Sequence, residues 1–452
     1  MANQPTEIFK NFSHKQILAI AIPVILSNIT TPLVGIADIA VIGHANLADG
    51  VSAASATGAV AFGSMIFALI FGTLGFFRMG TSGFSAQAKG ANDLKELSAI
   101  FLRVLLVGFV VGLLIILLRQ PLISFIFYFS NASADVVSLS SEYYNIRALA
   151  APFTLMNYVI LGWLMGQGRA KTGLLVQLVL NISNVLLNLY LVLGLNMAVD
   201  GVAWASAFAE IIAFGFSILL ILGIYKPSFF KQPLNNILHR TKLLRMFNVN
   251  RDIMIRSLAL TVSFTWFTIQ SASMGDVLLA ANAILLQFVS IFAYFLDGFA
   301  TSAEVFIGQS VGAKNGKIFK RAFSLSLFWA FAVSLILAAI SLFFGDMIIN
   351  FMTQDAAVRL VALDHLFWPA VAVIIGAWCY TVDGVFLGAT RGVDMRNMML
   401  ISLGVYFIAW YILVDIYGNN GLWAAFIIML IARGLTLHSR MPKLRNDIFK
   451  QP

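Results

Sequence analysis

Hydrophobic residues in this chain do not alternate with polar ones. They come in runs of about twenty or more, broken by short clusters of Lys, Arg, Asn and Gly. Barrel strands show alternation over about ten residues, so the runs read as helices that satisfy their own backbone groups in lipid. The pattern predicts spans near 15–42, 52–77, 99–118, 140–165, 172–195, 201–225, 251–274, 278–306, 321–344, 360–388, 397–417 and 421–438. The expected fold class is an all-α polytopic membrane protein of twelve transmembrane helices.

Composition agrees: 60% of the 452 residues are hydrophobic and only 11% are charged. The first run is longer than a signal-peptide core and lacks a small-residue cleavage site, so it reads as a retained span. The net charge of +9 could suggest nucleic acid, but its distribution gives another reason. With alternating spans, one side collects Lys10, Lys15, Arg78, Lys89, Lys95, Arg103, Lys231, Arg251, Lys317, Arg391, Arg440 and Lys450 among others. The opposite side has Arg119 and Arg359, beside Asp49, Asp135, Asp200, Asp276, Asp346 and Asp355. Cytoplasmic loops are enriched in Lys and Arg, so both termini are expected in the cytoplasm, and the charge is expected to meet anionic membrane lipid rather than nucleic acid. The lone Cys379 excludes an internal disulfide and any multi-cysteine metal site.

The loop "AQAKGANDLK" (86–95) matches "GQSVGAKNGK" (308–317), and "GQGR" (166–169) matches "GATR" (388–391), both at an offset of 222 residues. Two matches at one offset indicate a duplicated six-span unit. Six is even, so both copies enter the membrane in one direction and a pseudo-two-fold axis should run along the membrane normal. The expected organisation is an N-terminal six-helix lobe (1–225), a basic cytoplasmic linker (226–250), a C-terminal six-helix lobe (251–440) and a cytoplasmic tail (441–452).

"GAKNGKI" around Gly312 lacks the glycine spacing and the Ser/Thr of a phosphate loop, and no strand precedes it. No TVGYG filter, paired histidines or Ser/His/Asp set is present. The expectation is a secondary transporter rather than an enzyme, with no cofactor and no bound metal.

Candidate chemistry lies in polar residues at membrane depth, where an unpaired charge costs about 2.5–3.5 kcal/mol and a carboxylate is suited to taking up and releasing a proton. Asp38 follows Pro23 by fifteen residues, with Pro32 between them, so its helix has two weak points in its hydrogen-bond ladder. It reads as a coupling group, or as an interfacial carboxylate paired with an Arg. Asn181, Asn184 and Asn188 fall on one stripe of span five, facing the lobe interior as cavity or as interhelical glue. Tyr143, Asn157 and Trp163 in span four suit a cavity wall. In the second half Asp297 and Glu304 share a face, and with Asp383 and Arg256 they form either a static network or a second coupling set.

The chain resembles the multidrug and toxic compound extrusion (MATE) transporters, and most closely their DinF-like branch, over nearly its whole length. The resemblance rests on Pro23 with Asp38, on "FFRMGTSGFSAQAKGAND", "YYNIRALAAP" and "GWLMGQGRA", and on "LAANAILLQF", "LDGFATSAE" and "DGVFLGATR". It implies a monomeric, two-lobed antiporter of the bacterial inner membrane that exports small organic molecules in exchange for H+ or Na+ by alternating access. It also implies that Asp38 is the proton site and Pro23 the hinge of the first helix. The family pattern in span five is Asn and then Asp, where this chain has Asn184 and Asn188. That departure favours H+ over Na+ in the N-terminal lobe. The resemblance leaves Na+ coupling through Asp383 and its neighbours as one alternative, and a lipid-linked oligosaccharide flippase of the same superfamily as another.

Overall fold

The structure, a computed structural model, describes residues 12–44, 52–128 and 133–449; Lys10, Asp49 and Lys450 lie outside them. Every regular element among the described residues is helical. The first half comprises α1 (His14–Gly43), α2 (Ala53–Thr73), α3 (Phe76–Gly90), α4 (Leu94–Tyr128), α5 (Ala134–Leu149), α6 (Ala151–Gly166), α7 (Ala170–Asn188) and α8 (Val199–Ile224). A wide π turn over Leu189–Gly194 extends α7. The short α9 (Leu234–Ile237) lies in the basic linker, followed by α10 (Arg240–Ser273), α11 (Asp276–Gly312), α12 (Gly316–Met352), α13 (Ala356–Asp364), α14 (Phe367–Gly388), α15 (Gly392–His438) and α16 (Met441–Phe449).

Among the described residues ten helices are long and apolar enough to cross a membrane, and α5 with α6 makes an eleventh span bent by 57°. The bend falls at Ala150, with Pro152 in the first turn of α6, where its missing N–H costs nothing. At 47 residues α15 is roughly 70 Å long, over twice the hydrocarbon thickness. Gly418, with φ 54° and ψ −127°, breaks it into the eleventh and twelfth spans. The architecture is the expected all-α one of twelve membrane helices.

One expectation about helix ends was too short. Span two is expected to end at 77, yet helix resumes as α3 and runs to Gly90. Its sequence, "FFRMGTSGFSAQAKG", is too polar for lipid, but Thr81, Ser82 and Ser85 are buried in protein. Hydropathy reports contact with lipid, and this helix is held by other helices instead.

The chain folds as two compact units: Met1–Ile25, Ala86–Asn92 and Arg245–Pro452 in one, Leu26–Ser85 and Asp93–Leu244 in the other. The single helix α1 contributes to both. Its first half belongs to the first unit, where Phe12 meets Phe306 edge-on at 4.8 Å and Ser302 Oγ donates to the Ile17 carbonyl at 3.0 Å. Its second half, from Leu26 onward, belongs to the other unit. There Val41 and Ile42 join Ala56, Val60, Tyr143, Val192, Val199 and Val202 in one apolar cluster that fixes the helix end carrying Asp38.

The backbone carries the 222-residue repeat further than the side chains do. Left-handed residues pair as Asn92 with Lys314, Gly168 with Thr390 and Asn196 with Gly418, each pair separated by that offset. Asp93 and its counterpart Asn315 both accept hydrogen bonds from backbone N–H groups of the helix that follows. Contacts within the first unit add reciprocity: a Cβ at Gly90 would overlap the Gln309 backbone, and one at Gly312 would overlap that of Gln87. Gln87 and Gln309 are themselves repeat equivalents, so i meets j′ as j meets i′, the signature of a two-fold axis. Gln87 also donates to the Gly388 carbonyl at 2.9 Å and to Thr390 Oγ1 at 3.1 Å, closing the left-handed end of α14.

Because both partners at this crossing are backbone, little can relax. Gly312→Val is expected to lower thermal stability by about 3 kcal/mol or more. Gly215→Val, at a helical glycine with nothing within 4 Å of its Cβ position, should leave the melting temperature unchanged. Equal melting curves for the two variants would contradict the close crossing.

Candidate functional site

Asp38 is 4% exposed and lies near the end of α1. Asn188 Nδ2 donates to Asp38 Oδ1 at 2.6 Å and to Asn184 Oδ1 at 3.1 Å. Asn184 Nδ2 in turn donates to Ser206 Oγ of α8 at 2.9 Å. The two amides are a helical turn apart on α7, so the local period of that helix builds a ladder from Asp38 across to α8. Asn181, on the same stripe, accepts instead from Gln177 Nε2 at 3.0 Å and does not reach Asp38.

A second set of polar contacts lies beyond this ladder. One turn after Ser206 on the same face of α8 stands Glu210, 9% exposed. Asn157 Nδ2 donates both to the Glu210 backbone carbonyl at 2.9 Å and to its Oε2 at 2.7 Å. Arg147 of α5 interacts electrostatically with Asp38 and with Glu210. It forms an ion pair with neither. Its guanidinium stacks over the Phe67 ring at 3.8 Å, and its Nη1 donates to the Tyr143 hydroxyl at 3.1 Å. Tyr143 is fully buried and shares a second hydrogen bond, 2.9 Å, with Ser64 Oγ. Tyr143 thus holds Arg147 in place rather than lining open space.

Trp163 is also fully buried. Its Nε1 donates to the Leu97 carbonyl at 3.0 Å, and its ring packs on Phe101 and Tyr225. It belongs to the packing of this unit, not to a cavity wall.

The polar set of the other unit centres on Asp383 of α14, 5% exposed. Its Oδ2 accepts from Arg256 Nη1 of α10 at 2.6 Å and also from Arg433 Nη2 of α15. Asp297 interacts electrostatically with Arg256 and Tyr380, and the Arg433 guanidinium lies 5.5 Å from the Tyr380 ring centre. Nε and Nη1 of Arg433 are buried without a partner. Glu304 is buried on α11, where its backbone carbonyl packs against Gly388. A separate knot lies at the start of α11: Asn282 Nδ2 donates to Ser271 Oγ at 2.8 Å and to Asn419 Oδ1 at 2.7 Å, while Trp423 Nε1 donates to Asn282 Oδ1 at 2.9 Å.

Arg147, Glu210 and Arg433 were visible in the sequence as charges inside spans. Nothing there paired them with Asp38, Asn157 or Asp383.

The MatE family profile matches residues 23–190 and 253–412, one stretch in each repeat. The chain is 35% identical to the DNA damage-inducible protein F of Escherichia coli K12 over 429 residues, covering 95% of this chain and 92% of that protein. It is 23% identical to a probable multidrug resistance protein NorM of Photorhabdus laumondii, with 94% of each covered. Among solved structures, a MATE in its bent conformation superposes with a TM-score of 0.87 at 18% identity, covering 99% of each chain. An outward-facing multidrug resistance MATE transporter of the MOP superfamily superposes with a TM-score of 0.85 at 19% identity over the full length of both. With both repeats matched and a relative above 30% identity spanning nearly the whole chain, this multi-pass membrane protein belongs to the MatE family, the multidrug and toxic compound extrusion transporters.

Proposed function

We propose that the chain is a secondary active antiporter that exports amphipathic or cationic organic compounds in exchange for H+ by alternating access. It works as a monomer in the bacterial inner membrane, with both termini cytoplasmic. Residues 1–225 and 251–440 act as the two lobes, joined by the 226–250 linker, and the basic face rests on anionic lipid. The carrying observation is Asp38: a carboxylate 4% exposed, engaged by Asn188 at 2.6 Å, on a helix that can bend at Pro23. Ionised, Asp38 accepts the Asn188 amide. Protonated, it gains a donor and loses its charge, so its bonds in the ladder change and α1 settles in another position. Cargo leaves as the proton enters, and release of the proton to the cytoplasm resets the helix.

Drug export is supported by the relatives, which include a multidrug export protein MepA of Staphylococcus saprophyticus 19% identical over 94% of this chain. H+ rather than Na+ is supported by the ligands at hand. Asp38 has amide neighbours where a cation cage needs further charge, and Asp383 is already occupied by two guanidinium groups. That same occupation counts against the flippase reading, because Arg256 and Arg433 are turned on Asp383 rather than free for an anionic head group.

The purified protein in proteoliposomes tests this. Vesicles made acidic inside are expected to accumulate ethidium above its external concentration, and nigericin should abolish the accumulation. A Na+ gradient at clamped pH should drive none. Uptake driven by Na+ alone would overturn the coupling ion, and equilibration without accumulation would overturn antiport altogether.

A further inference from the structure

We infer that Glu210 and Asn157 form the subsite for the positively charged group of a monovalent organic cation, and that Arg147 decides when that subsite is available. This rests on Asp38 being the proton site and names what the same lobe recognises.

Three observations carry it. The first is an orphaned acceptor. Asn157 Nδ2 faces two acceptors, the Glu210 carbonyl and Oε2, so its amide orientation is fixed by chemistry. Its Oδ1 is thereby aimed elsewhere, buried and without a hydrogen-bond partner. A buried carboxylate and, on the far side of the amide that engages it, an oxygen without a partner are both acceptors suited to an N–H-bearing cation.

The second is a charge count. Asp38 and Glu210 each contribute −1 and Arg147 +1, so the ionised cluster sums to −1 and lacks one positive charge. A proton on Asp38 supplies it, and so does an organic cation at Glu210. Both together would leave a net positive charge at membrane depth, so one excludes the other. The count needs every charged group facing Glu210. From the helices packed on α8, α5 gives Arg147 and Tyr143, and α6 gives Thr154, Asn157 and Tyr158. Tyr158 also feels Arg78 of α3. The facing parts of α2 and α7 bring no charged side chain.

The third is the placement of Arg147, tied to neither carboxylate but held on Phe67 and Tyr143. With Asp38 ionised, its negative charge offsets the repulsion between Arg147 and a cation at Glu210. With Asp38 protonated that offset is gone, and the repulsion from Arg147 displaces the cargo cation. The link from proton to cargo is therefore electrostatic and needs no direct contact between them.

The experiment measures ethidium binding to the detergent-purified full chain, by fluorescence anisotropy, as a function of pH. Wild type should bind more weakly as pH falls, because protonated Asp38 competes. Glu210→Gln should bind at least tenfold more weakly and lose the pH dependence, whereas Glu210→Asp should keep it. Arg147→Met is the sharper test: removing a positive charge should tighten binding and abolish release at low pH, the opposite of what a damaged fold would do. Unchanged affinity in Glu210→Gln, or weaker binding in Arg147→Met with the pH dependence intact, would overturn the inference. Wild type alone supplies a further check if the variants fail to fold. One-for-one exchange of H+ with ethidium is electroneutral, so clamping the membrane potential with valinomycin and K+ should not change the rate of pH-driven uptake. A strong dependence on potential would refute the charge count. Asp38→Asn separates the two ideas: if it still transports under a pH gradient, the proton site is elsewhere, whatever Glu210 binds.

Discussion

Asp38→Asn is expected to reduce pH-driven export to background while making the folded protein more stable. The two halves of that expectation have one cause. Asn is nearly the shape of Asp and keeps an oxygen to accept the 2.6 Å bond from Asn188 Nδ2, so the ladder through Asn184 to Ser206 survives. What disappears is a carboxylate buried near the end of α1, whose charge costs about 2.5–3.5 kcal/mol at membrane depth. Arg147 offsets part of that cost from a distance, so a gain of about 1–3 kcal/mol is expected, seen as a higher midpoint in thermal unfolding followed by size-exclusion chromatography. The same change leaves nothing to protonate, so a pH gradient can no longer do work on the cargo. Initial rates of ethidium uptake into acid-interior vesicles give the other half. A variant that keeps half the wild-type rate would remove Asp38 from the mechanism, and one that unfolds earlier would mean the carboxylate is held for structure.

The sequence made the fold legible where lipid leaves its mark. Long apolar runs, basic loops on one side and a repeat at 222 residues together gave twelve helices, and the paired left-handed residues show that the duplication reaches the backbone. Less legible was helix that lipid does not touch. The polar α3 looked like a loop because its Ser, Thr and Gly residues are buried against protein rather than lipid, and hydropathy cannot register that. Inside the site, the spacing of Asn181, Asn184 and Asn188 gave the shared face, yet only Asn184 and Asn188 join Asp38. Helical period says which way a residue points, not which helix it meets.

Glu210 is the clearest case. In the sequence, Asn188 stands where the family pattern has a second carboxylate, which leaves Asp38 with amide neighbours. A second carboxylate exists in the same compact unit, on α8 rather than α7, one turn beyond Ser206. The acid has a different place in the chain, on the helix where the ladder from Asp38 ends. No periodicity within a single helix could have shown this, since the link runs through Asn157 of α6 and Arg147 of α5.

The other large effect belongs to the C-terminal half, and it is one of stability. Asp383→Asn is expected to cost about 3–5 kcal/mol, enough to collapse the yield of folded protein, because it strands buried charge. Asp383 Oδ2 is shared by Arg256 and Arg433, and Asp297 lies within electrostatic reach of Arg256. Two acids against two guanidiniums sum to zero; without Asp383 the cluster carries +1 in a place with little water. Arg433 already has two nitrogens without partners, so it has nowhere else to turn. Removing a charge of the opposite sign should therefore rescue the fold: Asp383→Asn combined with Arg433→Gln should recover most of the lost stability, with a coupling energy of about 1–3 kcal/mol in the double-mutant cycle. The cycle also decides what Asp383 is for. A carboxylate whose loss is repaired by deleting its arginine is a structural counter-ion, and pH-driven transport should return with the fold. If the double variant folds but no longer transports, Asp383 takes part in coupling, and the division of labour between the two halves must be redrawn.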